Sequence, residues 1–445
     1  MHGGAVQQAS RGAWPPASRG WLAVTLLAFA SIMSQFDRTV INLMVGPVKA
    51  AFALDDTHFG MLQGIAFGIF YVLACIPIGR LADRYSRSAI IGIAIGFWSV
   101  FAMASGLARS YAQLFLTRIG VAVGEASLTP AGFSMLSDLF PPERLGKPVG
   151  AYLMSSPVGQ GFAFMGGGLL LQWLSTSPAL GSGVLAGFEP WQAAFVIVGL
   201  PGLLLVPAFL LLREPARRGL PGEADVPTPM PLRDVLAVVR SRGRALALMF
   251  AGFAMVPVVS YAFGIWTPAL FQRVYGWNPA QVGVGFGLVQ LVFGTSGAYV
   301  GGWLSDRVAR RGVLDAPLKV AAFGFIGCGL FGALAPLMPS APLALALLAP
   351  AVFLSNIPYA CAGTALQLIV PNRARAQVSA MYITMTTLIG LGVGPMIVGL
   401  MTDHLFPEPT GIRYSMAIVV GVAAPLLTLF LLAARRPYRA LRAAA

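Results

Sequence analysis

The stretch "GRLADRYSR" at residues 79–87 returns as "GWLSDRVAR" at residues 302–310, an offset of 223 positions. Each copy follows a long apolar run, and the two runs begin alike at this offset, with "DDTHFG" ending at Gly60 and "NPAQVG" ending at Gly283. A second match, at an offset of 231, pairs Gly159 with Gly390, Gly161 with Gly392 and Gly168 with Gly399. We therefore predict that the chain contains two similarly oriented copies of one structural unit.

The composition is that of a membrane protein. Of the 445 residues, 57% are hydrophobic and 10% are charged, and the mean hydropathy is +0.76. A soluble domain carries about 25% charged residues, because its surface needs them. The chain is therefore expected to have the lipid bilayer as its solvent.

Apolar runs long enough to cross a bilayer, about 20 residues each, divide the chain into two sets. Six runs precede a polar segment and six follow it, at residues 20–47, 58–80, 88–108, 111–140, 147–174 and 190–212, then 245–272, 279–304, 318–338, 342–370, 376–402 and 413–434. These runs predict an all-α membrane protein with twelve transmembrane helices in two pseudo-symmetric six-helix bundles. The predicted parts are a disordered cytoplasmic tail (1–18), an N-terminal bundle (19–212), a cytoplasmic linker (213–244), a C-terminal bundle (245–434) and a basic cytoplasmic tail (435–445).

The basic residues predict the orientation. With the N-terminus in the cytoplasm, the cytoplasmic segments hold 24 Lys and Arg residues, whereas the outer loops hold four: Lys49, Arg109, Arg273 and Arg413. Such a bias is the positive-inside signal. We therefore expect both termini on the cytoplasmic side of the cell (inner) membrane. The basic charge is spread over topology-setting loops, so it does not indicate nucleic-acid binding.

Several function classes lack support in the sequence. Cys75, Cys328 and Cys361 lie within apolar runs without metal-ligand spacing, and the three histidines are scattered. No nucleophile–base set or phosphate-binding loop is evident. We therefore predict no enzyme activity, no metal and no cofactor, and we expect a monomer.

The repeated loop and the six-plus-six layout resemble the major facilitator superfamily over the whole chain. Within it, the segments "FDRTVIN", "DTHFGMLQG", "GRLADRYSR", "TRIGVAVGEASLTPAGFSMLSDLFPPER" and "GAYLMSSPVGQG" resemble the bacterial spinster-like branch. Internal repeats at this scale are typical of secondary transporters, whose substrate site lies between the halves near the midplane. The resemblance implies transport of lysolipids or sphingolipid phosphates.

The repeated loop is also a candidate cytoplasmic gate. Its arginines alone would retain the loop inside, but Asp83 is unexpected in a pure retention signal, and an aspartate favours a helix N-terminus. The resemblance implies a latch that favours the outward-facing state, with Asp83 near the start of span 11 and Asp138 paired with Arg84 or Arg87. The predicted gate set is Gly79, Asp83, Arg84, Arg87 and Asp138, with Asp306 and Arg307 in a weaker mirrored part.

Four charged residues of the first half fall inside predicted spans and away from the span ends. Asp37 and Arg38 interrupt span 1, in "SQFDRTVIN", and Arg118 and Glu125 lie on one face of span 4 about 10 Å apart. Each such residue costs roughly 2.5–3.5 kcal/mol to insert and usually faces a cavity or another charge. A structural ion network is one interpretation, although buried ion pairs are poor stabilisers compared with apolar packing. We favour proton coupling through Asp37, Glu125 and Arg118, with Arg38 and Arg118 also binding an anion; the resemblance implies the same roles.

The second half has no charge away from the ends of its spans, so uncharged polar and aromatic residues are the candidates for the rest of the cavity. The predicted substrate-binding set adds Tyr261, Trp266, Gln290, Asn356, Tyr359 and Thr384, with Tyr382 beside them. Apolar and aromatic walls opposite two arginines suit a small amphipathic or lipid-like anion. A proton-coupled antiporter of hydrophobic cationic drugs, an uncoupled facilitator and a non-transporting receptor are the alternatives; the arginines argue against the first, and the lack of a long soluble module against the last.

Overall fold

The computed structural model describes residues 14–177, 180, 185–217 and 231–443. This part of the chain forms twelve long helices, six on each side of the linker, as predicted. The first six are α1 (Ala17–Phe52), α2 (Asp56–Arg84), α3 (Arg87–Ser105), α4 (Tyr111–Leu139), α5 (Gly146–Thr176) and α6 (Pro190–Leu211). The second six are α7 (Gly243–Tyr275), α8 (Pro279–Ala309), α9 (Ala316–Leu337), α10 (Ala341–Ile369), α11 (Asn372–His404) and α12 (Ile412–Ala443).

Eleven of these helices are long and apolar enough to cross a membrane. The exception is α5, which is long enough at 31 residues but is interrupted by glycine, serine and glutamine. It packs against α1 and α8 rather than facing lipid all round, so its polar residues are partly covered by neighbouring helices. Several helix starts carry the expected caps: Asp55, Ser86, Ser110 and Asn278 each accept a hydrogen bond from a backbone N–H in the first turn.

Two of the long helices change their winding near mid-membrane. Helix α1 tightens to a 3₁₀ turn at Val40–Met44, directly after the charged pair that interrupts the apolar run. Helix α8 widens to a π turn at Gln290–Gly294. Such local changes in winding are frequent at functional sites, because they redirect side chains relative to a regular helix.

The two bundles meet where their helices approach the predicted outer face. In one contact, between α5 and α8, a Cβ atom added at Gly283 would lie 2.3 Å from the carbonyl oxygen of Phe164. In another, between α2 and α11, a Cβ added at Gly64 would lie 2.3 Å from the carbonyl oxygen of Leu391. Only glycine permits backbones to approach so closely. The bundles are therefore closed against each other on the predicted outer side.

The linker begins as a strap across the repeated loop. Glu214 accepts hydrogen bonds from the backbone N–H and the hydroxyl of Ser88 at the start of α3, each 3.0 Å long. Arg217 donates to the last carbonyl groups of α2, including that of Ala82 at 2.7 Å. These contacts satisfy a backbone N–H group at the start of α3 and backbone carbonyl groups at the end of α2, which have no partner within their own helices. Burial raises the pKa of Glu214, but the bonds from Ser88 and Arg87 outweigh it and hold that pKa below its usual value.

The predicted tails and linker agree only in part with the structure. Residues 1–13 of the predicted tail and 218–230 of the predicted linker lie outside the described residues. The rest of the linker includes a short amphipathic helix, Leu232–Ser241, that contacts α11. Residues 435–443, predicted as a basic tail, instead continue α12, because Arg435 and Arg439 pair with the buried Asp315 before α9.

Candidate substrate cavity

A cavity of about 650 Å³ lies between the bundles. Residues of α1, α2, α4 and α5 line it from one side, and residues of α7, α8, α10 and α11 from the other. Its basic lining residues are Arg38 and Arg118, and the lining taken from the described residues contains no Asp or Glu. A molecule bound in the cavity would therefore contact positive charge, whereas the neighbouring acids Asp37 and Glu125 lie outside the lining.

Arg38 connects the cavity to one of those acids. Its Nε atom donates to Glu125, whose Oε2 atom also accepts a 2.8 Å bond from the hydroxyl of Ser34. The Glu125 side chain is fully buried, whereas the Arg38 side chain is 27% exposed. The guanidinium lies 4.3 Å from the ring centre of Phe67 and 5.0 Å from that of Tyr71. Aromatic faces stabilise a cation without neutralising it, so Arg38 can still bind an anion.

Arg118 and Asp37 form the second half of the charge cluster. Arg118 donates to the backbone carbonyl of Asp37 at 3.0 Å and to the hydroxyl of Ser105 at 3.1 Å, and its guanidinium lies 5.0 Å from the ring centre of Phe195. Asp37 is 2% exposed, and within the described part of the chain its Oδ1 atom has no hydrogen-bond partner. Each of the two acids thus keeps one unbonded oxygen among the described residues, and Glu125 is also held by Arg38.

Arg118 and Glu125 were expected to lie too far apart on α4 for a direct bond, and the contacts agree with this. Two turns apart, the two residues do not pair with each other, and each finds partners on α1. The structure therefore brings together all four predicted intramembrane charges.

The C-terminal bundle supplies four of its predicted residues to the cavity: Tyr261, Gln290, Asn356 and Tyr359. Trp266 and Thr384 are not brought to the cavity lining. Trp266 is fully buried toward the outer closure, where its indole N–H donates to the carbonyl of Pro395 at 2.9 Å and its ring packs on Phe59. Thr384 is exposed, and Tyr382 packs against Phe250 and Phe253. Trp266 and Thr384 were assigned to the cavity because they lie near the middle of predicted spans, and that position does not tell which face of the helix a side chain lies on.

Sequence reasoning missed the amide side chains of the N-terminal bundle. Gln35, Asn42, Gln63 and Gln160 all line the cavity. Asn42 donates to the carbonyl of Gly264 across the bundle interface at 3.2 Å and accepts a bond from Gln63. Their presence inside predicted spans was a usable signal, because amides, like charges, are costly in hydrocarbon unless bonded.

The predicted gate residues lie at or near the ends of helices on the predicted cytoplasmic side. Arg87 pairs with Asp138 and also with Glu214 of the linker strap, at 2.7 Å. Asp83 and Arg84 are exposed, and the backbone carbonyl of Asp83 accepts a bond from Arg217. A Cβ atom added at Gly79 would lie 4.0 Å from the Cβ atom of Pro130, so this glycine is not tightly packed. In the mirrored loop Asp306 is exposed and Arg307 lies over the ring of Trp303. Contacts of Asp83 with the start of α11 belong to the outward-facing state, so they stay a prediction.

The predicted outer side carries a polar cluster that was not foreseen, the outer clasp, formed by Lys49, Asp56, Arg273 and Asp403. Arg273 of α7 donates two bonds, of 2.6 and 2.7 Å, to Asp56 at the start of α2, and Lys49 also pairs with Asp56. Asp403 of α11 accepts bonds from the backbone N–H groups of Asp56 and Thr57. Lys49 and Arg273 were two of the four outer basic residues, but nothing in their spacing showed that they converge.

Two six-helix bundles that close on one side around a cavity with two arginines in its wall define a membrane transporter. The chain belongs to the Major Facilitator Superfamily, whose sequence profile matches residues 27–395.

Its relatives include an MFS-type efflux pump of Mycolicibacterium smegmatis, 30% identical over 91% of this chain and 90% of that protein. Protein spinster of Drosophila melanogaster is 26% identical over 88% of this chain and 64% of its own length. The crystal structure of a bacterial homolog of the human lysosomal transporter Spinster, in an inward-facing and unoccupied conformation, superimposes with a TM-score of 0.83, at 26% identity and over 96% of this chain and 99% of that one. The spinster-like resemblance and the twelve-helix fold are thereby confirmed.

Proposed function

We propose that this protein is a proton-coupled secondary transporter that moves an amphipathic or lipid-like organic anion across the cell inner membrane, with both termini in the cytoplasm. The observation that carries the proposal is the position of Arg38, which holds the buried Glu125 with one nitrogen and faces the cavity between the bundles. A substrate and a proton-binding carboxylate thus share one cation.

The sign of the cavity favours an anion. Arg38 and Arg118 contribute to its lining, whereas Asp37 and Glu125 lie behind it. In a site of low effective dielectric, two positive charges attract an anionic head group far more strongly than they would in water. The aromatic rings of Phe67 and Tyr261 in the lining suit the apolar part of an amphiphile.

Proton coupling follows from competition for Arg38. An anion that binds the Arg38 guanidinium weakens its attraction for Glu125. A buried carboxylate that loses its cation is costly to keep charged, and it takes up a proton instead. Asp37, which lacks a fixed partner on one oxygen, is a second place for that proton. Substrate and proton would then be bound together and released together when the bundles rock.

The relatives are compatible with more than one cargo. A probable L-galactonate transporter of Escherichia coli is 24% identical over 86% of this chain. It is named for an organic anion, which agrees with the proposal. The efflux-pump relative supports the alternative, a drug/proton antiporter for hydrophobic cations. That alternative needs an acid on the cavity wall, and the described lining residues include none.

The test is a comparison of matched probes, octyl phosphate and octyltrimethylammonium, whose binding to purified protein is measured by calorimetry. We expect the wild type to prefer the phosphate, and Arg38→Ala to weaken phosphate binding by about tenfold or more, since a hydrogen-bonded charge contact is worth about 1.5–3 kcal/mol. Arg311→Ala, which removes an exposed arginine outside the cavity lining, is the control. Equal losses for both probes in Arg38→Ala would assign that residue a structural role, and a wild-type preference for the cation would favour the antiporter.

A further inference from the structure

Gln290 of α8 is a polar side chain that the protein itself leaves unsatisfied. It is 8% exposed, and the surface it retains belongs to the cavity. In the described part of the chain it makes no side-chain hydrogen bond, unlike Gln35, Asn42 and Gln63 in the same lining. A carboxamide removed from water costs free energy unless it is bonded. Because the Gln290 amide opens to the cavity, a molecule that enters the cavity can supply the hydrogen bonds that the described part of the protein does not.

Gln290 lies where the winding of α8 changes. Gln290 opens the π turn that ends at Gly294, and a Cβ atom at Gly294 would lie 3.1 Å from the Gln290 Oε1 atom. The absence of that Cβ lets the Gln290 amide fold back over its own helix. The same point lies 3.8 Å from the Nδ2 atom of Asn356 on α10, so the Gln290 oxygen and the Asn356 nitrogen approach the same part of α8.

Asn356 lines the cavity beside Gln290 and, within the described residues, has an unbonded acceptor oxygen. Its Nδ2 atom donates to the carbonyl of Val352 at 2.8 Å, which occupies a donor and fixes the orientation of the amide. Among the described hydrogen bonds none is accepted by its Oδ1 atom, and the residue lines the cavity. A free acceptor therefore stands beside the free amide of Gln290, on the bundle opposite Arg38.

We infer that Gln290 and Asn356 form a subsite for a neutral hydroxyl or amide group of the substrate. A hydroxyl can donate to the Asn356 oxygen and accept from the Gln290 amide at once. The inference rests on the proposed function, because the ligand is the one that enters the same cavity, and it adds a second requirement to the anionic group. The substrate class becomes anions that carry a hydroxyl or amide away from the charge, rather than simple alkyl anions.

The test uses three probes with the same eight-carbon tail: octyl phosphate, 1-octanoylglycerol 3-phosphate and the uncharged 1-octanoylglycerol. Wild-type protein is expected to bind the hydroxylated phosphate about fivefold to tenfold more tightly than octyl phosphate, the effect of about one to two hydrogen bonds. Gln290→Leu, which keeps the approximate volume, should reduce that preference to near unity with little change in octyl phosphate binding.

Gly294→Ala tests the geometry without removing either amide. The added methyl meets only the end of the Gln290 side chain within 3.5 Å, so the fold is kept and the amide is displaced. Gly302→Ala is the matched control, because it adds the same methyl to α8 where the nearest atom lies 3.7 Å away. The preference should fall in Gly294→Ala and persist in Gly302→Ala, with thermal melting confirming that all variants are folded.

The outcomes separate the two proposals. If neither phosphate binds, but 1-octanoylglycerol binds and is weakened by Gln290→Leu, the anion proposal is wrong and the subsite stands. If no probe loses affinity in Gln290→Leu, or if Gln290→Leu keeps the wild-type preference, the subsite inference is overturned.

Discussion

Asp403 offers the sharpest test of how the outer side is held closed. It belongs to α11, yet its carboxylate accepts bonds from the backbone N–H groups of Asp56 and Thr57, at 3.0 and 2.7 Å, and from the Thr57 hydroxyl at 2.6 Å. It thus caps the N-terminus of α2 from the other bundle. Loss of a helix cap costs about 1 kcal/mol and loss of a favourable charge at a helix N-terminus up to about 1 kcal/mol more.

We therefore expect Asp403→Ala to weaken the closed state by about 2 kcal/mol, a factor of about 30 in the conformational equilibrium. A minor outward-facing population of about 1% would rise to about a quarter. The measurement is double electron–electron resonance between spin labels at Arg109→Cys and Thr410→Cys, in a background without the three native cysteines. The distance distribution should then show a second population at longer distance. Asp403→Asn, which keeps one acceptor oxygen, should give a smaller shift.

The control is Glu408→Ala, which removes an exposed acid from the neighbouring loop. If Asp403→Ala gives the same distance distribution as this control, the cap does not contribute to outer closure, and the reasoning from helix capping is refuted.

Three further predictions concern the coupling acid, the latch and the linker strap. Glu125→Gln should keep substrate exchange, which needs no net proton movement, and abolish uptake driven by an imposed pH difference in proteoliposomes; accumulation in that variant would exclude Glu125 as the carrier and leave Asp37. Asp83→Asn and Arg84→Ala should leave the fold intact, shift the resting state further inward and reduce transport, as read from cytoplasmic cysteine accessibility; normal accessibility with normal transport would reduce the loop to a topology signal. Because bonds to Ser88 and Arg87 depress the pKa of Glu214 below its usual 4.5, its stabilising contribution is present above that value and is lost as the pH falls through the depressed one. Glu214→Gln should therefore lower the melting temperature at pH 7 and make little difference in strong acid, and an equal difference at both pH values would contradict this.

The architecture was predictable because its signals are long and repetitive. Apolar runs, charge bias and the copies at residues 79–87 and 302–310 each extend over whole helices or both halves. The intramembrane charges were equally visible, since Asp37 and Glu125 stand out against an apolar background. Their partners were harder to predict, because pairing Arg38 with Glu125 needs the relative rotation of α1 and α4, which spacing along one helix does not contain.

The remaining errors have the same origin. Trp266 was placed in the cavity because it is amphipathic and near mid-helix, but its indole N–H finds a carbonyl on α11. The π turn at Gln290 has no recognisable sequence pattern, and neither has the close approach of α8 and α10 at Gly297 just after it, where an added Cβ would lie 2.1 Å from the Phe353 carbonyl oxygen. Contacts between segments far apart in sequence decide such details.

The polarity of α5 has a consequence for how the protein is made. A segment so rich in glycine, serine and glutamine gains little by partitioning into lipid alone as it leaves the ribosome. Its contacts with α1, where Gln35 donates to the hydroxyl of Ser156 at 2.9 Å and Gly159 lies against the backbone of Ile32, provide the missing affinity. Membrane insertion of α5 should therefore depend on α1 already being in the membrane. The N-terminal bundle would then assemble cooperatively during synthesis. A change of Gln35 to a charged residue should accordingly reduce the amount of inserted protein more than the transport rate of the protein that is inserted.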